Sequence, residues 1–77
     1  MSEPTKFLII VERGGDGFSA YCPDLPGCVA AADSLDETLL LMREAISLHL
    51  EGLLEDGLEI PEPTTQAEYY SIQMTAS

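Results

Sequence analysis

Apolar and polar positions alternate through the first third of this chain and then shift to a helical period, which divides it into short strands followed by one helix. From Lys6 to Glu12, Phe7, Ile9 and Val11 point one way and Leu8 and Ile10 the other, so this strand is apolar on both faces and is expected inside a sheet. Gly14-Gly15-Asp16-Gly17 interrupts the run, and Phe18 to Cys22 resumes it, with Phe18, Ala20 and Cys22 on one face and Ser19 and Tyr21 on the other. That pattern predicts a hairpin, and Cys28 to Ala31 supplies a third short strand. Between the second and third strands lies Tyr21-Cys22-Pro23-Asp24-Leu25-Pro26-Gly27-Cys28. Its prolines fix their own φ and push the preceding residues out of the helical region, Gly27 is free to take positive φ, and Asp24 is suited to bond the backbone two residues on. A rigid tight loop follows.

The helix opens at Ser34-Leu35-Asp36-Glu37, which has the spacing of a capping box, and closes at Asp56-Gly57-Leu58, where a left-handed glycine cap is expected and Pro61 and Pro63 bar continuation. Leu35, Leu39, Met42, Ile46, His49, Leu50 and Leu53 form one stripe, with Leu41, Ala45, Leu48 and Gly52 forming a second beside it. Together they cover roughly 200° of helix surface, more than the 100° or so that packing on one sheet requires, so another polypeptide is expected on the excess. Glu44, Ser47, Glu51 and Glu55 mark the solvated side, and His49 reads as a packing or boundary histidine.

Beyond the prolines, Tyr69 to Met74 alternates as a fourth strand, with Tyr70, Ile72 and Met74 on one face. A helix crossing over from the third strand would lay it parallel to the first, making the first strand interior. The expected fold is therefore α+β with element order β-β-β-α-β, an antiparallel meander in strand order 3-2-1-4 with one long helix on one face. Its 77 residues make a single domain, 1–77, that buries only about 60–65% of its unfolded surface. A homodimer or homotetramer is the natural source of the missing burial.

Fourteen acidic residues against three basic ones, Lys6, Arg13 and Arg43, give a formal charge of −11. Such a field repels a phosphate backbone and speeds encounter with a basic protein, so the expected partner is a protein and not nucleic acid. The apolar runs are too short to cross a bilayer, and Met1-Ser2-Glu3-Pro4 has no targeting character, which points to a cytoplasmic protein. Cys22 and Cys28 read as reduced, packed thiols. With His49 as the only histidine they fall short of a zinc set, and no metal or other cofactor is expected. The loop tip, Asp24 and Pro26, and the second helix stripe, Leu41, Ala45, Leu48 and Gly52, are the candidate partner contacts.

The opening Phe-Leu-Ile-Ile-Val-Glu strand, Asp16-Gly17-Phe18, Pro23-Asp24-Leu25-Pro26-Gly27-Cys28, Asp33-Ser34-Leu35-Asp36-Glu37-Thr38 and Glu44-Ala45-Ile46 resemble the HicB antitoxin family over residues 6–63. The resemblance implies a partial ribonuclease H fold. It also implies a protein-binding module that binds and occludes HicA, a small basic toxin that cleaves mRNA. Many members of that family carry a C-terminal DNA-binding segment, and none is expected here. The alternatives are a stand-alone homo-oligomer without a toxin and a metal-dependent ribonuclease H-like nuclease using Glu12, Asp16, Asp24 and Asp33. Their spacing shows no convergence of the kind two-metal chemistry needs, so the chain is not expected to be an enzyme.

Overall fold

The computed structural model describes residues 5–75; residues 1–4, read above for targeting character, lie outside them. Three strands form, β1 (Ile10–Gly14), β2 (Gly17–Tyr21) and β3 (Val29–Ala32), followed by the helix α1 (Leu35–Glu55), but the first begins four residues later than the Lys6–Glu12 run expected for it and residues 6–9 are in no strand. The sheet is an antiparallel meander in the order β1-β2-β3. Val11 lies opposite Ala20, and Ala20 in turn opposite Ala30.

The faces fall as alternation requires. Ala20 and Cys22 are buried with Leu25, Cys28 and Met42, while Phe7, Ile9, Val11, Ala30, Ile46 and Leu50 pack around them. The helix lies over β2 and β3 on this face. The row Ile10-Tyr21-Val29, in register across all three strands, stands on the opposite face. Among the described residues no second layer covers that row, and Val29 is 65% exposed.

Both helix ends are set by local chemistry. Ser34 is extended (φ −125°, ψ 157°), and its hydroxyl accepts from the Glu37 amide. The Thr38 hydroxyl, fully buried, donates to the Ser34 carbonyl at 2.8 Å. The return bond of a capping box, from the Ser34 amide to the Glu37 carboxylate, is not formed, so the serine caps alone. At the other end the Gly57 amide bonds the Leu54 carbonyl and the Leu58 amide the Leu53 carbonyl, with Gly57 at φ 72°. This double bond pattern is a Schellman cap, for which the left-handed residue is nearly always glycine.

One expectation of the topology is corrected. Tyr69 to Met74 is in no strand, and β1 is therefore an edge strand and not an interior one. Alternation says which residues share a face but does not say whose backbone they pair with, and in the single chain the segment stands clear of the sheet. Tyr69 is fully exposed and Tyr70 86% exposed. The radius of gyration is accordingly 15.8 Å, against about 11–12 Å for a compact chain of this length.

Candidate partner-binding surface

The proline loop is two β-turns in series. The Leu25 amide bonds the Cys22 carbonyl at 3.1 Å, closing a turn with Pro23 at its second position. The Cys28 amide bonds the Leu25 carbonyl at 3.1 Å, closing another with Pro26 second and Gly27 third. Gly27 sits at φ 91°, as the third position of a type II turn requires. A bond from the Cys22 amide to the Cys28 carbonyl shuts the loop at its base. Leu25, the junction of the two turns, is driven into the core and is fully buried.

Asp24, one residue earlier, points outward and does something the sequence did not disclose. In place of a bond to the backbone two residues on, its carboxylate accepts from the Thr64 hydroxyl at 3.1 Å, the Thr65 hydroxyl at 2.9 Å and the Thr65 amide at 3.2 Å. Slight desolvation pushes the Asp24 pKa upward, but the donors of Thr65 and Thr64 win, and the carboxyl lies below its ordinary value of 3.8. The clasp fixes the chain beyond the helix to the loop. Thr64 and Thr65 were missed because two threonines after a proline carry no sign of what lies 40 residues away. Pro26, at the loop tip, is exposed.

The helix stripe divides unequally. Leu41 and Leu48 are exposed, the latter by 69%, while Ala45 and Gly52, on the side of the stripe nearer the core, are half-buried. Leu48 shares a shallow groove of about 410 Å³ with Arg43, Glu44, Ser47 and Glu51. Exposed leucine flanked by carboxylate suits a basic polypeptide with an apolar centre. Leu40 and Leu54 are also exposed, on the helix face that carries Ser47 and Glu51. A second groove of about 330 Å³ runs between the chain leading into β1 and the helix, lined by Thr5, Phe7, Arg43, Ile46, Leu50 and Ile60, among others.

Cys22 and Cys28 are free and buried. Burial, and secondarily the neighbouring Cys22 thiol, push the Cys28 pKa up, which keeps it protonated and unreactive. Among the described residues no three His, Cys, Asp or Glu side chains gather where they would hold a metal ion. No helix among them is long and apolar enough to cross a membrane.

Fold and surface together define a small acidic α+β module whose open faces suit another polypeptide. Residues 7–74 match the model of the HicB_like antitoxin of bacterial toxin-antitoxin systems, and the chain belongs to that family. It is 44% identical over 63 residues to an uncharacterized 14.9 kDa protein of the rep-hol intergenic region of Haemophilus phage HP1, covering 82% of this chain and 47% of the phage protein. It is 27% identical over its whole length to Antitoxin HicB 2 of Photorhabdus laumondii, of which it covers 55%. The chain thus spans about half the length of these two relatives. Among solved structures, a chain of the HicA3 and HicB3 toxin-antitoxin complex superposes with a TM-score of 0.59 at 27% identity, over 77% of this chain and 72% of that one.

Proposed function

We propose that this chain is the antitoxin half of a toxin-antitoxin pair, a non-enzymatic module of one domain that binds and occludes a small basic HicA-like toxin in the cytoplasm. The observation that carries the reading is the likeness in fold and sequence to a chain solved within a HicA-HicB complex. The charge of −11 supports it, since a basic ribonuclease would be drawn to this surface and held away from RNA. The helix stripe Leu41, Ala45, Leu48 and Gly52, with its flanking carboxylates, is the proposed main contact, and the loop tip at Asp24 and Pro26 a second. Its test is purification of this chain with the short basic product of a neighbouring gene. Co-elution and loss of that product's mRNA cleavage are the expected result, and uninhibited cleavage at excess of this chain would refute it.

A second reading has an observation of its own. The uncovered row Ile10-Tyr21-Val29 and the free edge of β1 favour self-association, as a homodimer or as a homotetramer made from two such dimers. In that reading the fourth strand of a partial ribonuclease H-like fold, parallel to β1, is completed only in the assembly. Light scattering at micromolar concentration tests it, and a mass of one chain would exclude it.

A further inference from the structure

Arg43 stands apart in this chain. It is one of three basic residues against 14 acidic ones, and it lies on a helix that carries five carboxylates, Asp36, Glu37, Glu44, Glu51 and Glu55. Yet the four positions next to it on the helix surface, Leu39, Leu40, Ile46 and Ser47, are all uncharged. Glu44, next in sequence, lies about 100° further round the helix. No neighbour on its own helix face answers the guanidinium.

The Arg43 side chain is exposed and separates two grooves. On one side is the groove of about 410 Å³ that holds Leu48. On the other is the groove of about 330 Å³, with Phe7, Ile46, Leu50 and Ile60 as its apolar wall. Ser47 lines both, and the exposed Leu40 and Leu54 extend the apolar surface on the same side of the helix. A guanidinium in such surroundings seats a carboxylate, because its fork matches the two oxygens and apolar neighbours strengthen the pair. The arm from Tyr69 to Met74 is exposed and apolar too, but it carries no charge to orient a partner.

The charge of the whole molecule decides what brings that carboxylate. An acidic ligand approaching a chain of −11 is repelled over a Debye length, about 8–10 Å, before Arg43 acts on it. A basic polypeptide is drawn in by the same field and then sets one of its own carboxylates on Arg43.

We infer that Arg43 fixes the register of the partner on α1: the basic protein places one Asp or Glu on the guanidinium and an apolar side chain beside it in the groove of Phe7, Ile46, Leu50 and Ile60. This rests on the toxin reading and adds to it the contact in which the signs are reversed. Elsewhere on the surface, acid of this chain meets base of the partner in many alignments of similar energy. A reversed pair opposes the shifted alignments, because in them Arg43 meets one of the partner's cations.

Calorimetric titration of the full chain with the toxin tests this, using Arg43→Glu and Arg13→Glu. Each takes the formal charge from −11 to −13, one positive charge lost and one negative gained, so the overall field treats them alike and favours the basic partner. Arg13→Glu is expected to bind as tightly as the wild type or more so. Arg43→Glu is expected to bind at least about tenfold more weakly, through the loss of one close charge pair. Both side chains are exposed, so circular dichroism is expected to stay unchanged. Neutralising the toxin's carboxylates in turn is expected to find one whose loss weakens binding to the wild type and not to Arg43→Ala. Equal affinity of the two charge variants, or weakening with no coupled carboxylate, overturns the role of Arg43 and leaves the toxin reading standing. A wild-type chain that binds no toxin overturns both.

Discussion

Asp24 accepts hydrogen bonds from both the amide and the hydroxyl of Thr65, at 3.2 and 2.9 Å, across 41 residues of sequence. Its neighbour Leu25 turns the opposite way and is fully buried. The loop thus ties the core on its inner side to the chain beyond the helix on its outer side, and each function can be broken separately.

The outer tie is acid-sensitive. Because hydrogen bonds hold the folded pKa of Asp24 below 3.8, the clasp is complete above that value and is lost as the pH falls through the lower folded value. The Asp24 carboxyl carbon should titrate with a midpoint below 3.8, and the Thr65 amide resonance should follow the same midpoint. Asp24→Ala should speed amide exchange at Thr65 and leave the circular dichroism unchanged. A midpoint above 3.8 would show that the clasp is not formed in solution.

The inner tie is a matter of stability. Leu25→Ala removes a fully buried side chain and should cost about 2–5 kcal/mol, a large share of the roughly 4–12 kcal/mol available to a domain of this size. Urea denaturation should show a lowered midpoint or no folded baseline at all. An unchanged midpoint would mean that Leu25 is not part of the core.

Gly27 at φ 91° sets the second turn of the loop. Gly27→Ala places a Cβ in the left-handed region and should cost about 1–2 kcal/mol, read as a lower thermal midpoint. Gly52, half-buried within the helix at negative φ, provides the contrast. Gly52→Ala should hold or raise the midpoint, by up to about 1 kcal/mol from helix propensity.

Leu48 lies where binding and stability separate. It is 69% exposed, so Leu48→Ala should change stability by no more than about 0.5 kcal/mol. Leu48→Asp places a charge at the centre of the proposed toxin contact and should weaken binding at least about tenfold, equivalent to about 1.4 kcal/mol. Calorimetric titration with the toxin measures the effect, and undiminished affinity would move the contact off the helix.

Much of this architecture was legible residue by residue. The hairpin follows from the break at Gly14-Gly15-Asp16-Gly17, the helix ends from Ser34 and Gly57, and the loop from Pro23, Pro26 and Gly27. Each depends on backbone preferences and hydrogen bonds within about five residues, which a local pattern records. The division of faces in β2 was equally visible, because alternation is a geometric property of any strand.

What the pattern left open was every relationship that spans the chain. Nothing in Asp24 or Thr65 announces the other, and the alternation of Tyr69 to Met74 is equally consistent with its own sheet, a partner's sheet or none. The exposed span of the helix follows the same rule, since Ala45 and Gly52 are half-buried and Leu41 and Leu48 are exposed although all four share a stripe. Sequence determined the hairpin, the proline loop, the helix with its two ends and the inward face of β2, since these are set by neighbours along the chain. Tertiary structure alone decided the clasp, the open edge of β1 and the free arm, since distant pairings turn on which surfaces meet once loop closure has been met.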